Sequence, residues 1–161
     1  MKKLLIGCLV ATGLVSSVMA MDFSDCKVAV KSGASFLETQ IKNGSEVSDR
    51  GINLGVEISK PVTDKIEAAV EVDASIYENF EVYNLELNGK YPVYKNIKML
   101  AGISYNHYSL EGKDSYGAGV QAGIEAKLSD DVDAVLKYRY TDLNNGLDDA
   151  QEVSLGLKYY F

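Results

Sequence analysis

The chain has 161 residues, a formal charge of −7, eleven tyrosines, no tryptophan and two cysteines. That length suits one domain, and the acidic balance argues against a nucleic-acid partner, which needs a basic face. Ligand spacing for a metal cluster, a phosphate-cradling glycine loop and a dinucleotide fingerprint are all missing from the sequence, so no cofactor is expected.

Residues 1–20 have the three parts of a secretory signal. Lys2 and Lys3 supply the positive end, Leu4 to Val15 the apolar stretch, and Val18-Met19-Ala20 a small-residue cleavage site before Met21. The stretch is too short to span a bilayer, since Ser16 and Ser17 interrupt it. Leu5-Ile6-Gly7-Cys8 imitates a lipoprotein box but lies too close to Met1 to leave an apolar core ahead of it. Removal of 1–20 is therefore expected rather than lipidation of Cys8. The remaining 141 residues, 21–161, carry −9 and one cysteine, Cys26, which forbids an internal disulfide and reads as a passive thiol.

After the signal, alternating segments follow one another between turn residues. The pattern predicts eight strands, at 27–40, 51–60, 66–77, 82–91, 97–108, 116–128, 132–141 and 151–161. Lys60 to Lys65, Pro92 to Asn96 and Ser129 to Asp131 read as tight turns. Lys42 to Arg50, Leu110 to Ser115 and Asp142 to Ala150 read as longer, polar loops, with the short Glu78 to Glu81 connector in the same series. Short and long connectors alternate, as in an up-and-down meander with a trim end and a looser end.

The alternation sorts side chains onto two faces. One parity collects Ile52, Leu54, Val56 and Ile58, then Ile66 to Ile76 in steps of two, and later Ile103, Val120, Ile124, Val153, Leu155 and Leu157. The other collects Glu57, Glu67, Glu71, Asp73, Glu86, Lys90, Lys98, Glu125, Lys137, Arg139 and Lys158, expected to form a charge network. Lys127, Asp133, Glu152 and several glycines, among them Gly55 and Gly119, share that parity. A one-residue slip would exchange the two sets. With the apolar face in lipid, such a slip costs roughly 2–4 kcal/mol for each Lys or Arg brought to the midplane, so register is heavily determined.

Alternation alone does not say which face is inside. A soluble barrel would turn its apolar face inward around an apolar ligand; a membrane barrel would turn it outward. The large rings discriminate. Tyr83, Tyr91, Tyr105, Tyr116, Tyr138, Tyr140, Tyr159 and Phe161 fall towards strand ends, while strand centres are aliphatic or alanine. Two interfacial girdles around a hydrocarbon band have that layout. A soluble core more often puts its largest side chains at the centre.

Length agrees: Ile66 to Tyr77 at roughly 3.3 Å per residue, tilted by about 45°, rises about 28 Å, enough for an outer membrane. The expected fold is an all-β, eight-stranded antiparallel up-and-down transmembrane β-barrel. Its lumen would be filled by paired charges and would conduct little or nothing.

The closing Val153-Ser154-Leu155-Gly156-Leu157-Lys158-Tyr159-Tyr160-Phe161, with the signal and the eight alternating strands, resembles the small outer-membrane β-barrel proteins of Gram-negative bacteria, similar to OmpX and the transmembrane domain of OmpA. The resemblance implies periplasmic termini and turns, surface-exposed longer loops, and contact with outer-membrane lipid and lipopolysaccharide. It also implies recognition by the barrel-assembly machinery through the last strand, with Phe161 as its terminal aromatic. The chain departs from OmpA by stopping at Phe161, so cell-wall anchoring is not expected. The function so implied is structural or surface-interacting, with a loop ligand that the residues do not name.

The residues also offer two chemical alternatives. His107 and Ser109 share a face at two-residue spacing, and small-barrel lipid A deacylases such as PagL use a His-x-Ser pair of this kind with an orienting acid. Here Leu110 replaces the asparagine that follows the serine in that motif, and the sequence places no acid; an amphipathic ring in the upper girdle is the favoured account, and no enzyme is expected. Asp142 to Asp149 is rich in oxygen ligands but does not match an EF-hand, so a solvated hairpin tip is favoured over a metal site.

Overall fold

The computed structural model describes residues 25–41, 46–110, 113–144 and 147–161; the signal expected at 1–20 lies outside them. Eight strands run as β1 Lys27–Ile41, β2 Glu46–Pro61, β3 Glu67–Tyr77, β4 Phe80–Tyr94, β5 Ile97–Leu110, β6 Lys113–Lys127, β7 Val132–Leu143 and β8 Leu147–Tyr160. Each pairs antiparallel with the next, and β1 pairs with β8, so the sheet closes as the expected barrel and no edge is left exposed.

The strands outrun their expected limits, and this corrects the connectors. Between strands on the loop end lie only residues 42–45, 78–79, 111–112 and 144–146, so the connectors at that end are no longer than those at the other. Pairing continues through Gln40 and Glu46 and through Asp142 and Asp149. Beyond the membrane both faces of a ribbon meet water, so polar residues there hide strand behind loop-like composition, while the backbone ladder persists. Pro92 to Tyr94 belong to β4 rather than to a turn; the register shifts there, and a bulge accommodates the missing amide hydrogen.

Local chemistry fixes the connectors. Thr63 Oγ1 accepts from Ile66 N at 3.0 Å and Val62 N donates to Ile66 O at 2.8 Å, folding the β2–β3 turn. Asp49 accepts from Asn79 N at 3.0 Å and so ties down the β3–β4 connector. In the β6–β7 turn Lys127 donates to the exposed Asp130 at 2.8 Å, and that hydrogen bond holds the Asp130 carboxyl below its ordinary pKa.

The two faces separate as a membrane barrel requires. Ile52, Leu54, Val70, Leu85, Leu87, Ile103, Val120, Leu155 and Leu157 are exposed on the outer wall, while Lys31, Glu57, Glu71, Glu86, Lys90, Arg139 and Lys158 are buried inside. A soluble barrel around an apolar ligand is thereby overturned, because its inner wall would be apolar at mid-height. Small inner residues make room for the large ones. A Cβ on Gly119 would meet Ser104 Oγ at 2.6 Å and Asn106 Nδ2 at 2.9 Å, and one on Gly55 would meet Asp73 Cβ at 2.8 Å.

Candidate functional site

The lumen is stacked in layers from the turn end to the loop end. Nearest the turns, Lys158 on β8 donates to Glu57 on β2 at 2.7 Å and to Glu125 on β6, while Lys90 on β4 binds Glu57 and lies 3.1 Å from Glu125. Lys98 and Glu67, each partly exposed, pair at 3.0 Å at the edge of this layer. Four strands are thus tied through two lysines.

The middle layer is denser. Lys137 on β7 donates to both oxygens of Glu86 on β4 at 2.7 and 2.6 Å and to Glu71 at 3.3 Å. Arg139 spans Glu152 at 2.6 Å, Asp73 at 3.4 Å and Glu86. Lys31 on β1 closes the ring against Glu71 and Asp73. Neutral amides fill the remaining positions: Gln121 donates to Glu86 at 2.9 Å and to Asn88 at 2.6 Å, and Asn84 to Asp73 at 2.6 Å. Glu71, Asp73 and Glu86 each bring a carboxylate oxygen within 4.8 Å of the others, but lysine and arginine nitrogens already lie between them. A buried array of this kind is stable only when its members are mutually satisfied, and removal of one partner strands a charge in low dielectric.

Above the charges lies an apolar seal. Leu37, Tyr77, Phe80, Val82, Tyr108, Leu143, Leu147 and Ala150 are buried together inside the loop end of the barrel. A thin polar layer joins it to the network, with Ser75 donating to Glu152 at 3.0 Å and Asn106 to Thr141 at 3.0 Å.

Of the residues singled out by sequence, all eleven network members face the lumen, falling into these two clusters. Lys31 is not marked by the period because each parity of β1 mixes apolar, small and polar residues, so neither reads as the apolar face. The seal escapes the pattern for a related reason: Phe80, Val82 and Tyr108 put apolar side chains on the otherwise polar, inward parity near the loop end. The girdle residues lie on the outer wall and are exposed, with Tyr83, Tyr105, Tyr116, Tyr138 and Tyr140 towards the loop end and Tyr91, Tyr159 and Phe161 towards the turn end. Tyr94, expected in a turn, is 70% exposed and extends the turn-end group.

His107 lies among the loop-end rings. Its imidazole stacks 4.5 Å from Tyr116 and 6.0 Å from Tyr83, and Nε2 lies 3.2 Å from Asp114 Oδ1. Asp114 is the acid the sequence did not place. Ser109 is registered opposite Asp114, but among the described residues no hydrogen bond joins it to His107.

A closed eight-stranded barrel, oily outside and ionic inside, defines an integral outer-membrane β-barrel protein. The family model described as outer membrane protein beta-barrel domain matches residues 11–161, and the chain belongs to that family. The 25 kDa outer-membrane immunogenic protein of Brucella ovis is 29% identical over 152 residues, covering 91% of this chain and 69% of that protein. Neisserial surface protein A has a similar fold, with a TM-score of 0.60 and 20% identity over 83% of this chain and 97% of its own. Ail, the attachment invasion locus protein of Yersinia pestis, gives a TM-score of 0.60 at 14% identity, over 85% of this chain and 99% of its own.

Proposed function

We propose that this outer-membrane protein is a non-enzymatic, electrically closed barrel that acts through its loop end, in envelope structure or surface contact. The layered lumen supports this reading: the ionic network fills the axis and the Phe80–Tyr108 seal covers it. Residues 1–20 are removed on export, the turn end and both termini lie in the periplasm, and the loop end faces outward. The two sets of exposed rings rest at the two headgroup levels, where they contact lipid and lipopolysaccharide. The barrel-assembly machinery engages β8 and Phe161.

The loop end also restricts its partner. Ail has been crystallised with the heparin analogue sucrose octasulfate. Here the exposed loop-end charges among the described side chains are Glu38, Glu46, Glu78, Asp114, Asp142 and Asp148 against Arg50, a balance that disfavours a polyanion as the surface ligand. The stacking of His107 between two tyrosines, and the lack of a hydrogen bond from Ser109 to His107 among the described residues, favour a girdle role over hydrolysis.

Two measurements test this. Refolded protein should migrate differently on gels before and after boiling, and should give no unitary conductance in planar bilayers. Equal migration, or regular conductance steps in 0.1 M salt, would overturn the closed-barrel reading.

A further inference from the structure

A cavity of about 280 Å³ opens at the turn end, and it is lined from both faces of the wall. Lys98, Glu125 and Tyr160 reach it on the lumen parity, while Ile97 and Phe161 reach it from the outer wall. The cavity therefore crosses the rim between axis and lipid. Backbone hydrogen bonds knit its mouth together: Lys127 N donates to Asn96 O at 2.8 Å, Tyr160 N to Asp131 O at 2.9 Å and Phe161 N to Val28 O at 3.0 Å. The lining carries four lysines and four carboxylates, so it favours neither a bare cation nor a bare anion. Most of these charges already have a partner. Lys98 pairs with Glu67 at 3.0 Å and Lys127 with Asp130 at 2.8 Å, Asp133 faces Lys127 across β6–β7, and Glu125 holds Lys90 and Lys158. Three charges remain. Lys27, Lys95 and Asp131 are exposed and make no ion pair or side-chain hydrogen bond among the described residues. The buried hydroxyl of Tyr160 has no hydrogen-bond partner either.

We infer that this cavity binds the zwitterionic headgroup of a phospholipid, with its phosphate against Lys27 and Lys95 and its ammonium against Asp131. The site rests on the reading above that the turn end lies at the periplasmic headgroup level. A ligand carrying both signs matches free groups of both signs without unbalancing a neutral lining. The Tyr160 hydroxyl supplies a further donor for a phosphate oxygen. A lipid fits better than a soluble zwitterion because the cavity crosses the rim: the headgroup sits among the charges while the acyl chains run down the outer wall beside Ile97 and Phe161. Tyr94 and Phe161 are 70% and 79% exposed, and Tyr159 meets Phe161 edge-on at 5.1 Å, which marks this level as the headgroup layer. The volume lies just below the range of about 300–1,000 Å³ usual for whole small ligands, which suits a headgroup and not an entire lipid.

The full chain is refolded in non-ionic detergent, checked by its heat-modifiable band, and offered equal amounts of phosphatidylethanolamine and phosphatidylglycerol before native mass spectrometry. Phosphatidylethanolamine should be retained about fivefold over phosphatidylglycerol, which lacks the ammonium. Asp131→Asn should abolish that preference, and Lys27→Gln with Lys95→Gln should lower retention of both lipids by about fivefold or more. Lys60→Gln with Lys65→Gln, the same charge change beside the β2–β3 turn, should leave both unchanged. Equal retention of the two lipids by wild type, a preference that survives Asp131→Asn, or retention untouched by the Lys27 and Lys95 changes overturns the proposal. Displacement of the lipid by soluble phosphoethanolamine at equal concentration overturns it too, since the ligand is then a soluble zwitterion. Should the variants fail to fold, wild-type amide resonances decide: phosphatidylethanolamine should shift residues 94–97, 130–131 and 160–161 before 62–65. The reverse order overturns the proposal equally. A missing heat-modifiable band would fail the barrel reading and this site together, whereas a normal band with equal lipid retention fails the headgroup site alone.

Discussion

Lys137 on β7 grips both carboxylate oxygens of Glu86 on β4, at 2.7 and 2.6 Å, and so bolts together walls of the barrel three strands apart. Strand pairing holds only neighbours; this contact holds the cross-section. Arg139 and Gln121 converge on the same carboxylate, which makes Glu86 the hub of the middle layer.

Glu86→Ala should therefore lose far more than one contact, because Lys137 and Arg139 stay buried with a common partner gone. The expected loss is about 3–5 kcal/mol, read as a lower urea midpoint for the folded gel band in lipid vesicles. A midpoint within error of wild type would show that water enters the lumen and solvates the two cations.

The outer wall makes the opposite demand. Val120 is 59% exposed near mid-height on β6, and Val120→Arg should cost about 2–4 kcal/mol in a bilayer, whereas Tyr94→Arg at the turn-end rim should cost about 1 kcal/mol or less. Equal penalties at the two heights would contradict the placement of the hydrocarbon band.

Phe80 and Tyr105 carry similar rings on opposite faces near the loop end. Phe80, 2% exposed in the seal, should cost about 3–5 kcal/mol on replacement by Ala through the cavity it leaves. Tyr105→Ala, on the lipid side at 57% exposure, should cost clearly less. The comparison is made on the same unfolding curve, and a reversed order would mean that the seal is loosely packed.

Lipid A incubated with refolded protein should keep every acyl chain, as should lipid A incubated with Ser109→Ala. Loss of a chain with wild type alone would establish His107, Asp114 and Ser109 as a hydrolytic group and set aside the girdle role.

Immobilised heparin should not retain the protein at physiological salt, because the loop-end acids repel a polyanion. Retention that salt abolishes would place a basic surface among the loop residues.

Much of this was legible in the residue order. A period of two, sustained from Ile66 to Ile76 and from Val153 to Leu157, assigns faces before any fold is known, since a strand turns alternate side chains to opposite sides. Rings near strand ends then tell lipid from a soluble core, and the faces of Glu57, Glu86 and Lys158 follow. Where both faces are polar or both apolar, the period carries no information, and there the expectation failed: the paired ribbon around Glu46 and Asp149 passed for loop, Lys31 had no assigned face, and the seal around Tyr108 went unseen. Partners were out of reach for a different reason. Whether Arg139 meets Glu152 beside it or Glu86 across the axis depends on closure of the barrel and on the stagger of its strands, quantities set by all eight strands together. Alternation decides inside from outside; only the closed cylinder decides which buried charges meet.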